Sequence, residues 1–173
     1  MSEKGLVQVF TGDGRGKTSA GLGTVMRAAG YGLKVFAVFF MKGFHDRGEY
    51  TSLRKLGVEY SVNGRPGFLG PSYTKDEDRD LASEALKIAN DATQSGKYDL
   101  VLLDEINTVV AWNLVDLRTV LKLIDGKAPS TELILTGRYA DDRIIARADY
   151  VTKLDSIKHP FDNGIVAREG IDY

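Results

Sequence analysis

The chain has 173 residues, with 23 Lys and Arg against 24 Asp and Glu, and a formal net charge of -1 at pH 7. Chains of this length commonly fold as one domain, and we expect a single domain over 1–173. The balanced charge argues against a nucleic-acid partner, because such binding depends on Lys and Arg meeting phosphates. The absence of Cys excludes disulfides, thiolate zinc sites and a cysteine nucleophile, and two His leave little room for an imidazole-rich metal site. No run of about 18 apolar residues and no signal-peptide pattern is present, so we expect a cytoplasmic protein without membrane insertion.

Short runs of β-branched and aromatic residues alternate with longer helical patterns along the chain. In chain order we predict a strand over 6–10, a helix over 17–29, a strand over 35–41, a helix over 48–56, a strand over 58–62, a loop over 63–74, a helix over 76–95, strand 100–103, helix 115–124, strand 132–136, helix 141–148 and strand 150–154. The run 35–41 is apolar throughout, which suits a strand covered on both faces. The alternation predicts an α/β fold with a mostly parallel sheet and helices on both faces. Ligands of such sheets bind beyond the carboxyl ends of the strands.

The first predicted strand is followed by a glycine-rich segment that runs directly into a helix. Its residues are Thr11, Gly12, Asp13, Gly14, Arg15, Gly16, Lys17, Thr18 and Ser19. The segment is close to the phosphate-binding loop G-x-x-x-x-G-K-[ST], with Thr11 in place of the first Gly. Glycines let successive backbone N–H groups turn toward an anion, and the helix N-terminus adds partial positive charge. We predict that residues 12–19 bind a nucleoside triphosphate, with Lys17 at the terminal phosphates and the Thr18 hydroxyl on Mg²⁺.

The strand over 100–103 is followed by two adjacent carboxylates, Asp104 and Glu105. A buried strand that delivers an acid to a Mg²⁺ site is the second element of a triphosphate-binding enzyme. Apolar runs that end in Asp-Glu are also common helix starts, so the assignment depends on the glycine-rich loop. We predict that Asp104 and Glu105 bind the metal, and the sequence does not decide which of them touches it.

Two cations follow other strands of the predicted sheet. Lys42 comes after the strand over 35–41, and Arg138 comes after the strand that ends at Thr136. Both would lie where a triphosphate could bind, although each could equally be a solvated loop residue.

These features together resemble the P-loop class of ATP:corrinoid adenosyltransferases. The resemblance covers nearly the whole chain and is carried by Thr11-Gly-Asp-Gly-Arg-Gly-Lys-Thr-Ser19, Phe40-Met-Lys-Gly43, Val101-Leu-Leu-Asp-Glu105, Leu135-Thr-Gly-Arg138 and Lys158-His-Pro-Phe161 with Gly164-Ile-Val-Ala167 and Gly170-Ile-Asp-Tyr173. It implies a core fold similar to RecA-like ATPases, with ATP bound in reversed orientation across the loop.

The resemblance also implies an unusual use of ATP. Reduced cobalt(I) of a corrinoid attacks C5′ of the ribose, and inorganic triphosphate leaves intact. Because cobalt supplies the nucleophile, no enzymic base is needed. Lys17, Thr18, Glu105 and Arg138 would stabilise the charge of the leaving group together with Mg²⁺. A flavoprotein-type reductant is the expected partner.

In this family, aromatic side chains beside the corrin ring displace its lower axial ligand. Many relatives carry Phe and Trp close together in the loop after the third strand. Here that loop offers Phe68 and Tyr73 as candidates and contains no Trp, while Trp112 is assigned to core packing. Only ten residues precede Thr11, whereas many relatives have an N-terminal extension that covers the corrinoid. A homodimer could supply that cover.

Two other functions remain open from the sequence. A P-loop phosphotransferase or NTPase would cleave ATP at the γ-phosphate. A non-catalytic relative would bind ATP or a corrinoid without forming a cobalt–carbon bond.

Overall fold

Six parallel strands form one sheet in the computed structural model, which describes residues 4–44, 46–67 and 70–172. The strands are β1 Val7–Thr11, β2 Val35–Phe40, β3 Glu59–Asn63, β4 Leu100–Asp104, β5 Glu132–Thr136 and β6 Tyr150–Lys153. The helices are α1 Lys17–Gly30, α2 Gly48–Lys55, α3 Asp76–Gln94, α4 Ile106–Ala111, α5 Leu117–Asp125 and α6 Asp142–Ile145. Short 3-10 turns cover Pro71–Tyr73 and Pro160–Asn163.

The strand order is β3-β2-β4-β5-β1-β6, so β5 lies between the strand before the glycine-rich loop and the strand before Asp104. All neighbouring strands pair in parallel. The carboxyl ends of the central strands therefore meet at one edge of the sheet. This edge gathers the residues that follow β1, β2, β4 and β5.

Alternate residues of the central strands enter two separate cores. Val35, Ala37 and Phe39 of β2 pack with α1 and α2, whereas Val38 and Phe40 pack with the helices of the opposite face. The apolar run of β2 is therefore buried on both sides, as its composition predicts. The predicted α/β fold with a parallel sheet covered on both faces is confirmed and is consistent with a P-loop NTPase-like core.

Several predicted boundaries are corrected by the structure. Helix α4 is missing from the sequence prediction, because six residues are too few to show a helical period. Helix α5 begins at Leu117 rather than 115, since the Asp116 side chain accepts a hydrogen bond from the backbone N–H of Arg118 at 2.8 Å and caps the helix. The loop over 63–74 contains the last residue of β3 and a 3-10 turn.

Two other elements end earlier than predicted. Strand β2 stops at Phe40, and the next residue, Met41, has a φ of 57° that takes the chain out of the extended region. Helix α6 covers Asp142–Ile145: it begins after its N-cap, Asp141, and ends before its C-cap, Ala146, three residues earlier than predicted. Within the described residues, none of the helices is long and apolar enough to cross a membrane.

Candidate functional site

The glycine-rich loop is pressed against the backbone that follows β6. A Cβ atom on Gly14 would lie 2.7 Å from the carbonyl of Asp155, and one on Gly12 would lie 2.3 Å from the oxygen of Leu154. The N–H of Gly14 donates to the Leu154 carbonyl at 2.7 Å, so this N–H does not point at an anion. Gly16, with a φ of 112°, is the N-cap of α1. These contacts explain the glycines by close packing as well as by the turn.

Lys17 is held inside the loop. Its ammonium donates to the carbonyl oxygen of Gly14 at 2.6 Å, and the residue is only 8% exposed. Burial, followed by the positive charge of Arg138, lowers the pKa of Lys17 below its ordinary value. A bound anion between the ammonium of Lys17 and the guanidinium of Arg138 would offset their positive charges and raise the pKa of Lys17 again.

A cavity of about 490 Å³ opens between the glycine-rich loop and the C-terminal segment. We call it the loop cavity. Residues 13–19 form one wall, and His159, Pro160, residues 165–168, Ile171 and Asp172 form the other. Arg15 joins the two walls through an ion pair with Asp172 at 3.0 Å and a hydrogen bond to the carbonyl of Ile171. Of the predicted phosphate-binding residues 12–19, residues 13–19 line this cavity and Gly12 does not.

Asp104 is fully buried, and both of its carboxylate oxygens are engaged. Oδ1 accepts from the hydroxyl of Thr136 at 2.7 Å, and Oδ2 accepts from the ammonium of Lys42 at 2.5 Å. Lys42 therefore lies beside β4 and does not line the loop cavity. Asp104 remains a predicted metal ligand, and to act as one it would have to share or give up an oxygen that already accepts from Lys42 or Thr136.

Glu105 is placed differently from its neighbour. Its φ is 68°, a left-handed conformation that is uncommon outside glycine and turns the chain sharply into α4. One carboxylate oxygen accepts from the hydroxyl of Thr108 at 2.6 Å, and the backbone N–H donates to the Thr136 hydroxyl at 3.0 Å. Burial, followed by the charge of Asp104, raises the pKa of Glu105. Glu105 lines the loop cavity.

Arg138 reaches the same place from the loop after β5. Its backbone N–H donates to the Thr108 hydroxyl at 2.9 Å, so Thr108 connects Glu105 with the Arg138 loop. The preceding Gly137 has a φ of 128°, and a Cβ atom there would lie 2.8 Å from the backbone nitrogen of Thr108. The close approach of these two segments requires glycine at 137.

A second cavity, of about 410 Å³, lies next to Glu105 and Arg138. We call it the aromatic cavity, and it is lined by Met41, Lys42, Phe44, Arg47, Gly67, Glu105, Thr108, Trp112 and Arg138. Of the described residues, only Glu105 and Arg138 line both cavities. Sequence reasoning missed Met41, Phe44 and Arg47, and it assigned Trp112 to the core. Trp112 does pack against the core from its partly buried position, and it also lines this cavity.

The two aromatic candidates from the loop after β3 have different outcomes. Tyr73 is 75% exposed and lines neither the loop cavity nor the aromatic cavity. Phe68 lies outside the described residues. Among the residues that the structure does describe, no group of three or more His, Cys, Asp or Glu could hold a metal ion.

Residues 3–173 match the family model of the ATP:corrinoid adenosyltransferases BtuR/CobO/CobP. The chain belongs to this family. It is 37% identical over 173 residues to a corrinoid adenosyltransferase of Escherichia coli K12, an alignment that covers 100% of this chain and 88% of the relative. The corrinoid adenosyltransferase CobA of Salmonella typhimurium is 35% identical, with 100% and 88% covered. The corrinoid adenosyltransferase of Pseudomonas aeruginosa is also 35% identical, with 99% and 85% covered.

The resemblance to the corrinoid adenosyltransferases is thus confirmed over the whole length of the chain. The matched range, residues 3–173, includes the segments that line both cavities.

Proposed function

We propose that the protein transfers the 5′-deoxyadenosyl group of ATP to the cobalt of a reduced corrinoid and releases triphosphate. The observation that carries this proposal is the pair of adjoining cavities that share Glu105 and Arg138. Transfer requires C5′ of ATP and the cobalt atom to meet in a fixed orientation. Two ligand sites that join at one acid and one cation provide such a meeting point.

The loop cavity suits the triphosphate of ATP. Lys17, the N-terminus of α1 and Arg138 place positive charge around it. A leaving triphosphate gains negative charge as its bond to carbon breaks, and preorganised cations stabilise that charge most when they are buried. The burial of Lys17 therefore supports a role in leaving-group stabilisation.

Mg²⁺ fits the residues of this cavity. Thr18 lies in the first turn of α1, and both Thr18 and Glu105 line the cavity, so a hydroxyl and a carboxylate are available at the same space. Mg²⁺ commonly uses one or two protein oxygens, with substrate phosphates and waters completing its coordination. Thr18 and Glu105 would hold the ion, which would neutralise phosphate charge when bound. We assign Glu105 rather than Asp104 to this role, because Asp104 is already paired with Lys42 and Thr136.

The chemical step needs no acid or base from the protein. Cobalt(I) donates an electron pair to C5′, a cobalt–carbon bond forms, and the bond between C5′ and its triphosphate oxygen breaks with its electrons on that oxygen. No proton moves. The residues of the site accordingly bind, orient and neutralise charge, and the chain needs neither Cys nor a catalytic His.

The aromatic cavity suits one part of a corrinoid. Its wall combines apolar side chains with the cations Arg47 and Arg138, which would favour a ligand with a flat apolar ring and anionic groups, while the charge of Lys42 is already balanced by Asp104. Cavities of this volume match drug-sized ligands. Because a corrinoid is larger, part of it would project, where a second copy of the chain could cover it and a flavoprotein reductant could reach it in the cytoplasm. Phe68 and Tyr73 stay predicted as ring-contacting residues.

Product analysis tests the function directly. The protein is incubated with ATP, Mg²⁺ and cob(I)alamin under strict reduction, and the products are separated by chromatography. We expect adenosylcobalamin and intact triphosphate in equal amounts. ADP and phosphate without triphosphate would instead identify a phosphotransferase or NTPase. Binding of ATP without any adenosylcobalamin would identify a non-catalytic relative.

A further inference from the structure

Helix α4 presents one stripe of side chains to the aromatic cavity. Glu105 is its N-cap, Thr108 is three residues further on, and Trp112 is four residues beyond that. Residues spaced by three and four lie on one face of a helix. The backbone N–H of Trp112 donates to the carbonyl of Thr108 at 2.9 Å, which places the backbone of Trp112 one turn beyond Thr108, whose hydroxyl holds Glu105.

The stripe sets a distance between the reacting centre and the indole. Glu105 and Trp112 flank the six-residue helix α4, which is about 9 Å long. Because cobalt lies at the centre of a corrin macrocycle, a ring with its cobalt beside Glu105 and Arg138 would cover only part of this distance, and its rim and peripheral amide groups would extend toward Trp112, which lines the same cavity. The indole is partly buried against the core, and this packing holds it in one orientation.

We propose that Trp112 is a corrinoid-contacting residue, whose indole packs against the macrocycle and positions its cobalt at the junction of the two cavities. This proposal rests on the proposed function. The chemistry of the wall supports it, because the other apolar side chains of the cavity, Met41 and Phe44, come from the segment after β2. A flat conjugated ligand between those residues and Trp112 would be enclosed by apolar surface, with cations at the rim.

The test compares Trp112→Leu with Trp112→Phe. Leu fills part of the buried volume but removes the aromatic plane, whereas Phe keeps it. Tyr31→Leu is the matched control, since Tyr31 is an exposed aromatic residue at the C-terminal end of α1 and lines neither the loop cavity nor the aromatic cavity. Measured quantities are the KM for cob(I)alamin, the KM for ATP, Tm, and binding of hydroxocobalamin by ultrafiltration without ATP.

We expect Trp112→Leu to raise the KM and the Kd for the corrinoid about tenfold, equivalent to about 1.4 kcal/mol. The KM for ATP should stay close to that of the original protein, because Trp112 does not line the loop cavity. Trp112→Phe should recover most of the corrinoid affinity, and Tyr31→Leu should change none of these quantities.

Two results would overturn the assignment of Trp112. Unchanged corrinoid KM and Kd in Trp112→Leu would remove the indole from the site. A parallel rise of both KM values together with a fall in Tm would make it a core residue only. If the unmodified protein binds hydroxocobalamin but forms no adenosylcobalamin, the proposed function fails while the binding comparison still decides the role of Trp112. Absence of any corrinoid binding would refute both.

Discussion

Neutralising Asp104 should damage the fold more than the chemistry. In Asp104→Asn, the side-chain oxygen can still accept from Thr136, and the group that faces Lys42 is then an uncharged NH2. The Lys42 side chain is 14% exposed and that of Asp104 is 0% exposed, so the ammonium would stay buried without its counter-ion. Removing one partner of a buried ion pair costs about 3–5 kcal/mol. For a chain of this size, each kcal/mol lowers Tm by about 2–4 °C.

Glu105→Gln is the variant to compare with Asp104→Asn, and we expect it to reduce transfer without lowering Tm. Burial and the charge of Asp104 raise the pKa of Glu105, so its ionised form is disfavoured by the folded protein. A raised carboxyl pKa means that ionisation near pH 7 costs stability, and a neutral amide removes that cost. Tm should therefore stay level or rise. Transfer should fall by about 10²–10³, the usual loss when one group that stabilises transition-state charge is removed.

The assay pairs thermal unfolding with adenosylcobalamin formation at 25 °C for both variants and for a double-mutant cycle. Lys42→Met alone should destabilise, because it leaves Asp104 buried and unpaired. The double variant Asp104→Asn with Lys42→Met should be more stable than the sum of the single losses, by about 0.5–3 kcal/mol. Additive losses, or a Tm drop in Glu105→Gln as large as that in Asp104→Asn, would refute the division of roles between the two acids.

Three further predictions concern the loop, the hydroxyl bridge and the segment after β3. Lys17→Ala should abolish transfer with little loss of stability, measured by triphosphate release and Tm, and near-normal turnover would place the phosphates elsewhere. Thr108→Val should lower kcat and raise the Mg²⁺ concentration needed for half-maximal activity, because the hydroxyl that holds Glu105 is lost, and Thr108→Ser should restore both. The guanidinium of Arg65 lowers the pKa of the buried Asp78 carboxyl through hydrogen bonds at 2.7 and 2.8 Å. The stabilisation by the Arg65–Asp78 pair is complete above the pKa of Asp78 in the unfolded chain, about 3.9. It is lost as pH falls through the lower pKa of Asp78 in the folded protein. When Tm is measured at decreasing pH, Asp78→Asn should lose Tm less steeply than the unmodified protein. Parallel curves for the two proteins would contradict this.

The fold class and the glycine-rich wall of the loop cavity were predictable because their signals are local. The glycine-rich loop, its lysine and its threonine are contiguous, and each lies directly after a strand or at the start of a helix. Alternation of strand and helix patterns then implies a parallel sheet without knowledge of any long-range contact. Strand order is different, since it depends on which distant segments pair.

The bridge between Glu105 and Arg138 shows why the rest of the site was not predictable. The Thr108 hydroxyl contacts Glu105 at the start of α4 and Arg138 in the loop after β5. Thr108 and Arg138 are 30 residues apart along the chain. The contact exists because β4 and β5 are neighbours in the sheet and because Gly137 allows their loops to meet. Helix α4 was itself missed, so the sequence could not show that Thr108 and Trp112 share a face with Glu105. The sequence did offer one signal, because its single Trp, Trp112, lies after β4 and not in the loop after β3 where Trp was expected from the family resemblance.

Asp104 and Glu105 illustrate how two adjacent and similar residues acquire different roles. In a regular strand they would face opposite sides of the sheet. The parallel pairing places Phe39 of β2 opposite Asp104, which brings the end of β2, and so Lys42, to the Asp104 carboxylate. The left-handed conformation of Glu105 ends the strand and directs the second carboxylate toward the cavities instead. Neither the β2–β4 pairing nor a positive φ at a glutamate has a sequence signature, so the roles of the two acids follow only from the folded chain.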